Sequence, residues 1–181
     1  SALLRHIRRI AEALDYAHDQ GVLHRDVKPS NIFVGHHGDV YLIDWGLARH
    51  RKEQEVAGAE TTVDLGDEVQ RTLAGQVLGT PAYMAPEQAS VQPIDRRSDV
   101  YGLGATLYFC LTGHPPYDGD SANDILWEVG VGPPPPVRRR APERRIPRDL
   151  DAIVQKAMAR NRRVRYATTG QLAADLERFE A

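Results

Sequence analysis

Residues 24–31 of this chain read HRDVKPSN, and the architecture of the whole chain can be inferred outward from them. It places Asp26, Lys28 and Asn31, which supply a carboxylate, a cation and a neutral amide, within six residues. A second carboxylate, Asp44, follows thirteen positions after Asn31. A proton acceptor, a phosphate-binding cation and two oxygen ligands for a metal are the groups that phosphoryl transfer uses. The spacing therefore predicts a phosphoryl-transfer site if the fold returns Asp44 to the 24–31 stretch.

Two apolar runs between Asn31 and Asp44 predict a β-hairpin. Residues 32–34 and 40–43 are β-branched, aromatic or otherwise apolar, and GHHGD at residues 35–39 is rich in turn formers. Because Asn31 precedes the first strand and Asp44 follows the second, an antiparallel ribbon brings both to its open end. Carboxylate and amide oxygens suit Mg²⁺, and the phosphates of a nucleotide would complete its shell. The open end is therefore a candidate magnesium site.

Most of the remaining chain has the periodicity of α-helices. A first helix precedes the 24–31 stretch, and its apolar face consists of Leu3, Ile7, Ile10, Leu14 and Ala17. Further helices are predicted after a cap at Ser98, after a capping box at Ser121, over residues 148–160 and over residues 169–180. The expected fold class is mainly α with a small β-hairpin.

The order of three motifs along the chain resembles the protein kinase superfamily. The motifs are HRDVKPSN at residues 24–31, DWG at residues 44–46 and APE at residues 85–87. The resemblance covers residues 1–181 and is to the C-terminal lobe of a bacterial-type serine/threonine protein kinase. It implies a protein kinase-like fold without its N-terminal lobe, since no glycine-rich phosphate loop or strand lysine is present in these residues. Ser1 is accordingly expected to mark a fragment boundary.

The resemblance implies a role for the polar residues of the 24–31 stretch, which we call the catalytic loop. Asp26 resembles the residue that orients the substrate hydroxyl and accepts its proton, and Lys28 resembles the lysine that contacts the phosphate. Asn31 and Asp44 resemble the two magnesium ligands. A lysine two residues after the catalytic Asp is typical of members that phosphorylate Ser or Thr. The implied cofactors are ATP and Mg²⁺.

Supporting roles outside these ligands follow from the same resemblance. Arg25 would bind the phosphate of a phosphorylated activation loop through bidentate, charge-assisted bonds. Asp99 would hold the backbone of the catalytic loop from below, and Thr80 would hydrogen-bond the catalytic Asp and Lys. Glu87 and Arg165 would form a buried ion pair that ties the end of the activation loop to the last helices.

Residues 44–87 would form the activation segment, which is long and acidic in its first half. A loop of this length is usually functional or disordered. We hypothesise that Thr72 is its regulatory phosphorylation site and that the phosphate docks on Arg25; the alternative is a disordered tether without a switch. Trp45 stands where the family usually has Phe, and activity is expected to tolerate it. Phe33 would lie beneath the adenine ring.

Two functional hypotheses follow from the resemblance. In the first, the parent protein transfers the γ-phosphoryl group of ATP to Ser or Thr hydroxyls of protein substrates with Mg²⁺, and the isolated lobe is inactive because the nucleotide is held from one side only. In the second, the chain is a non-catalytic, kinase-like interaction module. A third reading, a small-molecule phosphotransferase, is disfavoured by the APE motif at residues 85–87, which resembles a platform for protein substrates.

Composition indicates which cellular compartment and which classes of partner suit this chain. The chain has 181 residues, 41% of them hydrophobic and 27% charged, which is typical of one globular unit. A formal net charge of −2 gives no general attraction to nucleic acid or anionic membranes. The single Cys110 forms no internal disulfide and suits a reducing compartment, so a cytoplasmic location is expected, with membrane anchoring outside this chain left open. Protein substrates are the expected partners, together with a homodimer for autophosphorylation of the activation loop.

Four further features have simple structural interpretations. His36 and His37 lack converging ligands and are expected in a solvated turn, so no zinc site is predicted. Residues 133–136, all proline, are expected to form a rigid loop. The arginine-rich residues 138–145 have no interleaved aromatics and are expected to be a solvated or substrate-docking surface. His24 is expected to be a packing residue, because the nearby Asp26 supplies the base.

Overall fold

The structure, a computed structural model, describes residues 1–47, 49–50 and 81–181. Its helices are α1 (Ala2–Asp19), α2 (Pro86–Ala89), α3 (Arg96–Thr112), α4 (Ala122–Val131), α5 (Val137–Arg140), α6 (Arg148–Ala157) and α7 (Thr169–Glu180). Its strands are β1 (Val22–Leu23), β2 (Ile32–Val34), β3 (Val40–Leu42) and β4 (Arg49–His50). The predicted class, mainly α with a small β-hairpin, is confirmed.

Helix α1 forms because its apolar residues recur on one face, a serine caps its first turn and a glycine follows its last turn. The Ser1 hydroxyl accepts a hydrogen bond from the backbone N–H of Leu4, which satisfies one free donor of the first turn. Leu4, Ile7 and Leu14 are buried on the face that packs against the other helices. Gly21 follows the helix with a φ of 78°, a left-handed conformation that glycine adopts readily. The chain then turns into β1 and the catalytic loop.

Helix α3 is the centre of the core, and residues are buried on all of its faces. Val100, Leu103 and Leu107 have no solvent exposure. The predicted cap at Ser98 is wrong, because the Asp95 side chain caps the helix by accepting from the N–H of Arg97 at 2.8 Å. Ser98 lies inside the helix instead, where its hydroxyl bonds a buried carboxylate described below. The helix ends at Gly113, as predicted, with a φ of 76°.

The predicted hairpin is present as the antiparallel pair β2–β3. Its register pairs Ile32 with Leu42 and Phe33 with Tyr41. Gly38 closes the turn with a φ of 81°. Because side chains alternate along a strand, Ile32 and Leu42 pack against the helical core while Phe33 and Tyr41 are more than half exposed. A second ribbon, β1–β4, was not predicted and pairs the chain before the catalytic loop with residues 49–50.

The C-terminal helices follow their predicted start signals. The Ser121 hydroxyl accepts from the N–H of Asp124, and the Thr168 hydroxyl accepts from the N–H of Gln171. Helix α6 ends at Ala157, earlier than the predicted residue 160, where the chain turns away and directs the Ala159 carbonyl to an arginine of the following loop. Residues 133–136 form the expected irregular connection between α4 and α5. Among the helices described, none is both long and apolar enough to cross a membrane.

Candidate active site

The catalytic loop is attached to the core through one buried carboxylate of α3. Asp99 is 2% exposed, and its Oδ1 accepts from the backbone N–H of Arg25 at 2.7 Å. Its Oδ2 accepts from the backbone N–H of His24 at 2.9 Å. Buried backbone donors need such acceptors, because an unsatisfied N–H costs about 1–3 kcal/mol. The first two residues of the loop are thus fixed in position by the central helix.

His18 completes this anchor and was missed by the sequence analysis. Its ring Nε2 lies 2.7 Å from Asp99 Oδ2, and both side chains are almost fully buried. Since a carboxylate oxygen accepts, the ring nitrogen donates. The available signal was its position four residues after Leu14, which places it on the buried face of α1.

Asp26, Lys28 and Asn31 converge as the catalytic stretch predicts. Lys28 Nζ lies 2.7 Å from Asp26 Oδ2. Asn31 Nδ2 donates to the same oxygen at 3.1 Å and to the Asp26 backbone carbonyl at 2.8 Å. The side chains of Asp26 and Lys28 are 14% and 13% exposed, so the cluster is reachable from solvent but largely shielded. Such a setting orients the carboxylate while leaving it accessible to a small polar group.

His24 connects the catalytic loop to the end of the hairpin. The ring has no solvent exposure, its Nδ1 accepts from the Asp26 N–H at 3.2 Å, and its Nε2 bonds the Ile43 carbonyl at 3.1 Å. Because the carbonyl can only accept, one tautomer, protonated on Nε2, satisfies both bonds. The Trp45 ring packs edge-on against His24 with 4.6 Å between centroids, and its indole N–H donates to the Leu42 carbonyl at 3.0 Å.

The hairpin holds Asn31 and Asp44 at one end of the ribbon. The N–H of Ile43 donates to the Asn31 carbonyl at 2.9 Å, which joins the residues that flank the two strands. Asp44 is exposed and has a φ of 64°, in the left-handed region that Asp tolerates better than most residues. A Cβ at Gly46 would lie 3.2 Å from Asp44 Oδ1, so the small residue leaves room for that carboxylate.

The donor set fits a magnesium ion whose shell is shared with a ligand. Both hydrogen bonds that the Asn31 side chain makes to described residues are donated by Nδ2, which leaves its amide oxygen as an acceptor. Asp44 adds an exposed carboxylate, and oxygen donors of both kinds suit Mg²⁺. Within residues 1–47, 49–50 and 81–181, no three His, Cys, Asp or Glu side chains form a metal-binding group.

A buried ion pair joins the APE segment to the loop before α7. The Glu87 carboxylate and the Arg165 guanidinium form two parallel bonds of 2.7 and 3.1 Å, and the side chains are 3% and 0% exposed. Ser98 Oγ also donates to Glu87 at 2.9 Å. Burial alone would raise the pKa of Glu87, but the hydrogen bonds and positive charge of Arg165 outweigh it and hold that pKa below its usual value.

Gln88, which the sequence analysis also missed, bridges the APE segment and the catalytic loop. Its Nε2 donates to the Arg25 carbonyl at 2.8 Å, and its Oε1 accepts from the N–H of Ala85 at 3.2 Å. Arg25 is thus held at both its N–H and its carbonyl, and it has a φ of 70°. A non-glycine residue in this region is uncommon and is typically found where surrounding bonds impose it.

Close packing of α3 against the catalytic loop requires Gly102. A Cβ there would lie 2.8 Å from the Val27 carbonyl oxygen and 3.1 Å from the Val27 Cβ. Val27 is 4% exposed, so it has little room to move. The catalytic loop can approach the central helix only because this position has no side chain.

The other predicted site residues have the following positions. Phe33 is 54% exposed on the outer face of the hairpin, next to its cross-strand partner Tyr41. Its role beneath an adenine ring stays a prediction. Thr72 and Thr80 lie outside the described residues.

Comparison with known proteins identifies the family. Residues 2–175 match the protein kinase domain. The chain is 42% identical over 168 residues to serine/threonine-protein kinase PknB of Mycolicibacterium smegmatis, covering 92% of this chain and 24% of the relative. It is 40% identical over 171 residues to PknB of Mycobacterium leprae, with 94% and 25% covered, and 39% identical over 167 residues to PknH of Mycobacterium bovis, with 92% and 25% covered.

The chain therefore spans about a quarter of the length of these curated relatives. The resemblance to bacterial serine/threonine protein kinases, inferred from the motifs, is confirmed by the family match and by the names of the relatives. The chain belongs to the protein kinase domain family.

Proposed function

We propose that residues 1–181 are the C-terminal lobe of a serine/threonine protein kinase, which transfers the γ-phosphoryl group of ATP to Ser or Thr hydroxyls of protein substrates. The observation that carries this proposal is the convergence of Lys28 and Asn31 on one oxygen of Asp26. A binding module has no need to orient a carboxylate in this way. The names of the relatives support Ser and Thr as acceptors.

In this proposal Asp26 positions the acceptor hydroxyl and takes its proton. Asn31 holds the Asp26 carboxylate through a bond of 3.1 Å, so that the carboxylate keeps one orientation. Lys28 is 2.7 Å from Asp26 and places positive charge beside the reacting groups, where it would offset charge on the transferred phosphoryl group.

Asn31 and Asp44 are proposed to hold Mg²⁺, with the Asn31 amide oxygen and the exposed Asp44 carboxylate as ligands. When bound, the ion neutralises charge on the phosphate oxygens. The left-handed backbone at Asp44 sets the direction in which its carboxylate leaves the hairpin. Phe33, exposed on the outer face of the hairpin, is proposed to contact the adenine ring.

Residues around the cluster are proposed to act by positioning. Asp99 fixes the loop backbone at His24 and Arg25, and Gln88 fixes the Arg25 carbonyl. Phosphoryl transfer depends mainly on positioning and electrostatics, so these bonds matter although none of these residues meets the substrate. Arg25 is further proposed to receive the phosphate of Thr72.

The boundaries of the proposed parts follow the motifs. The catalytic loop is residues 24–31, the metal-binding end of the hairpin is residues 44–46, and the activation segment is residues 44–87. The 181 residues contain no glycine-rich phosphate loop, so we propose that the chain alone transfers little phosphate.

Transfer of labelled γ-phosphate from ATP to a generic Ser/Thr protein tests the proposal. The chain and an upstream-extended form are assayed with and without Mg²⁺, each beside the Asp26→Asn variant. We expect Mg²⁺-dependent transfer by the extended form, reduced about 10²- to 10⁴-fold by Asp26→Asn, because general-base positioning contributes about that much. Asp120→Asn changes an exposed Asp outside the site and should retain activity.

A folded extended form that transfers no phosphate would overturn the proposal and favour the non-catalytic interaction module. Equal transfer by wild type and Asp26→Asn would show that Asp26 does not act as proposed.

A further inference from the structure

A polar cavity of about 540 Å³ lies beside α2, at the start of α3 and against the loop that follows α6. The proposed phosphoryl transfer does not use it. Its charged lining consists of the four arginines Arg97, Arg160, Arg162 and Arg163 and the two carboxylates of Glu87 and Asp95. The lining therefore has a formal excess of two positive charges.

The two carboxylates are largely neutralised by neighbours. Glu87 forms its two bonds with Arg165, and the pKa of Glu87 is held below its usual value by that partner against the opposing effect of burial. The Asp95 side chain caps α3, and its Oδ2 lies 3.6 Å from Arg162 Nη1. The net field in the cavity is consequently positive and suits an anion.

Hydrogen bonds to carbonyl groups fix most of the arginines in place. Arg160 donates to the carbonyls of Val129 and Gly130 at the end of α4. Arg162 Nη1 donates to the Pro93 carbonyl at 2.8 Å, and Arg97 Nη1 donates to the Arg162 carbonyl at 3.0 Å. Because carbonyls carry no formal charge, these bonds hold the guanidinium groups in position without neutralising Arg97 and Arg160, whereas Arg162 also lies beside the Asp95 carboxylate.

Arg163 differs from these three arginines. It is exposed, and its hydrogen bond to a described residue is made by the backbone N–H, to Asn161 Oδ1 at 3.0 Å. Its guanidinium group therefore donates no hydrogen bond to the part of the chain that the structure describes, and a ligand can reach it. Removing its charge should alter the cavity without breaking a structural hydrogen bond.

We infer that this cavity binds the phosphorylated Ser or Thr side chain of a protein partner. A phosphate on such a side chain carries about 1.5 to 2 negative charges at neutral pH, which matches the excess of two positive charges. Guanidinium groups bind phosphate oxygens through paired N–H donors. The neutral polar residues Ser90, Gln92 and Asn161 add hydrogen-bonding groups for the attached peptide.

The shape and charge of the cavity favour a phosphorylated side chain over larger anionic partners. A lipid surface or a nucleic acid presents repeated charge over a broad face, whereas this site is concave and carries two carboxylates among its arginines. This inference goes beyond the proposed function, because binding needs neither ATP nor transfer.

Fluorescence polarisation of a short labelled Ala/Gly peptide with a central phosphothreonine, without ATP, tests the inference on the full 181-residue chain. We expect binding that weakens as salt is raised, and at least about tenfold weaker binding of the unphosphorylated peptide. Arg163→Glu should weaken binding of the phosphopeptide at least about tenfold, since it replaces a charge-assisted bond with repulsion. Arg148→Glu is the matched control, because Arg148 is an exposed arginine outside both the cavity and the arginine-rich run at residues 138–145, and it should bind as wild type does.

Circular dichroism of both variants checks that they fold. Equal affinity for the phosphorylated and unphosphorylated peptides, or equal effects of Arg163→Glu and Arg148→Glu, would overturn the inference. Binding of anionic vesicles or of a single-stranded oligonucleotide that is lost in Arg163→Glu, without phosphopeptide binding, would also overturn it. A failure of phosphoryl transfer in the assay described above would leave this result unaffected.

Discussion

The catalytic loop lies between two regions that differ in how they hold their polar groups. On the helical side, Asp99 and His18 are buried and bonded to each other and to the loop backbone. On the hairpin side, Asp44 is exposed and Phe33 and Tyr41 are more than half exposed. The helical side determines where the catalytic loop lies, whereas the hairpin side exposes groups that a ligand can contact.

We infer that the helical side positions the catalytic loop and that the hairpin side binds ligands. Groups on the helical side have partners within the fold, so their loss should appear in the free energy of unfolding. Groups at the hairpin end have little packing to lose, so their loss should appear in ligand binding or transfer. Matched substitutions in the two regions test this separation.

The largest contrast is expected between Asp99→Asn and Asp44→Asn. The first places an amide where a carboxylate accepts two buried N–H groups and a His donor, and it should lower the free energy of unfolding by about 3 kcal/mol or more. The second changes an exposed side chain and should stay within about 0.5 kcal/mol of wild type. Urea denaturation followed by circular dichroism measures both, and similar losses would contradict the comparison.

A smaller contrast is expected between two glycines. Gly102→Ala brings a methyl group to 2.8 Å from the Val27 carbonyl and should destabilise the fold by about 1–2 kcal/mol, because overpacking outweighs the better helix propensity of Ala. Among the described residues, Gly46→Ala meets the Asp44 side chain alone, at 3.2 Å, and it should change stability by less than about 0.5 kcal/mol.

Gly130→Ala serves as the control for helix propensity. A Cβ at this position of α4 has no neighbour within 4 Å among the described residues, so the change should stabilise by about 0.5–1 kcal/mol. If Gly102→Ala stabilises by a similar amount, the close approach of α3 to the catalytic loop does not constrain the loop.

A pH-dependent effect is expected at the APE segment, whose buried ion pair belongs to the helical side. Because the folded state lowers the pKa of Glu87, the ion pair with Arg165 contributes stability above the ordinary carboxyl pKa, and this contribution is lost as pH falls through the lowered value. Glu87→Gln should therefore be less stable than wild type at neutral pH, and the difference should shrink in acid. Glu143→Gln, at an exposed site, should follow wild type at every pH. Thermal melts from neutral pH into acid measure this, and a constant difference for Glu87→Gln would contradict it.

Sequence patterns predicted those helices and strands whose packing, turn or capping residues lie within a few positions of one another. The apolar face of α1, the hairpin around Gly38 and the caps at Ser121 and Thr168 depend on neighbouring residues alone. The helix start near Ser98 was misplaced, because Asp95 and Ser98 are both good caps and the distinction depends on burial. Ser98 faces the buried Glu87, whereas Asp95 stays at the helix end.

Residues that act across long sequence separations were harder to find. His18 contacts a carboxylate 81 positions away, and Gln88 contacts a carbonyl 63 positions away. Neither lies in a short motif, and neither side chain is unusual for a helix. The arginine cavity likewise combines the start of α3 with the loop after α6.

Asp26, Lys28 and Asn31 can be placed together without any structure, because six consecutive residues in one short loop cannot move far apart. Which distant groups meet depends on the packing of the helices: Asp99 meets the loop backbone 74 and 75 positions away, and Glu87 meets Arg165 across 78 positions. These pairs form because burying a charged or polar group costs free energy unless it is hydrogen-bonded, and the packed helices determine which partner lies within reach.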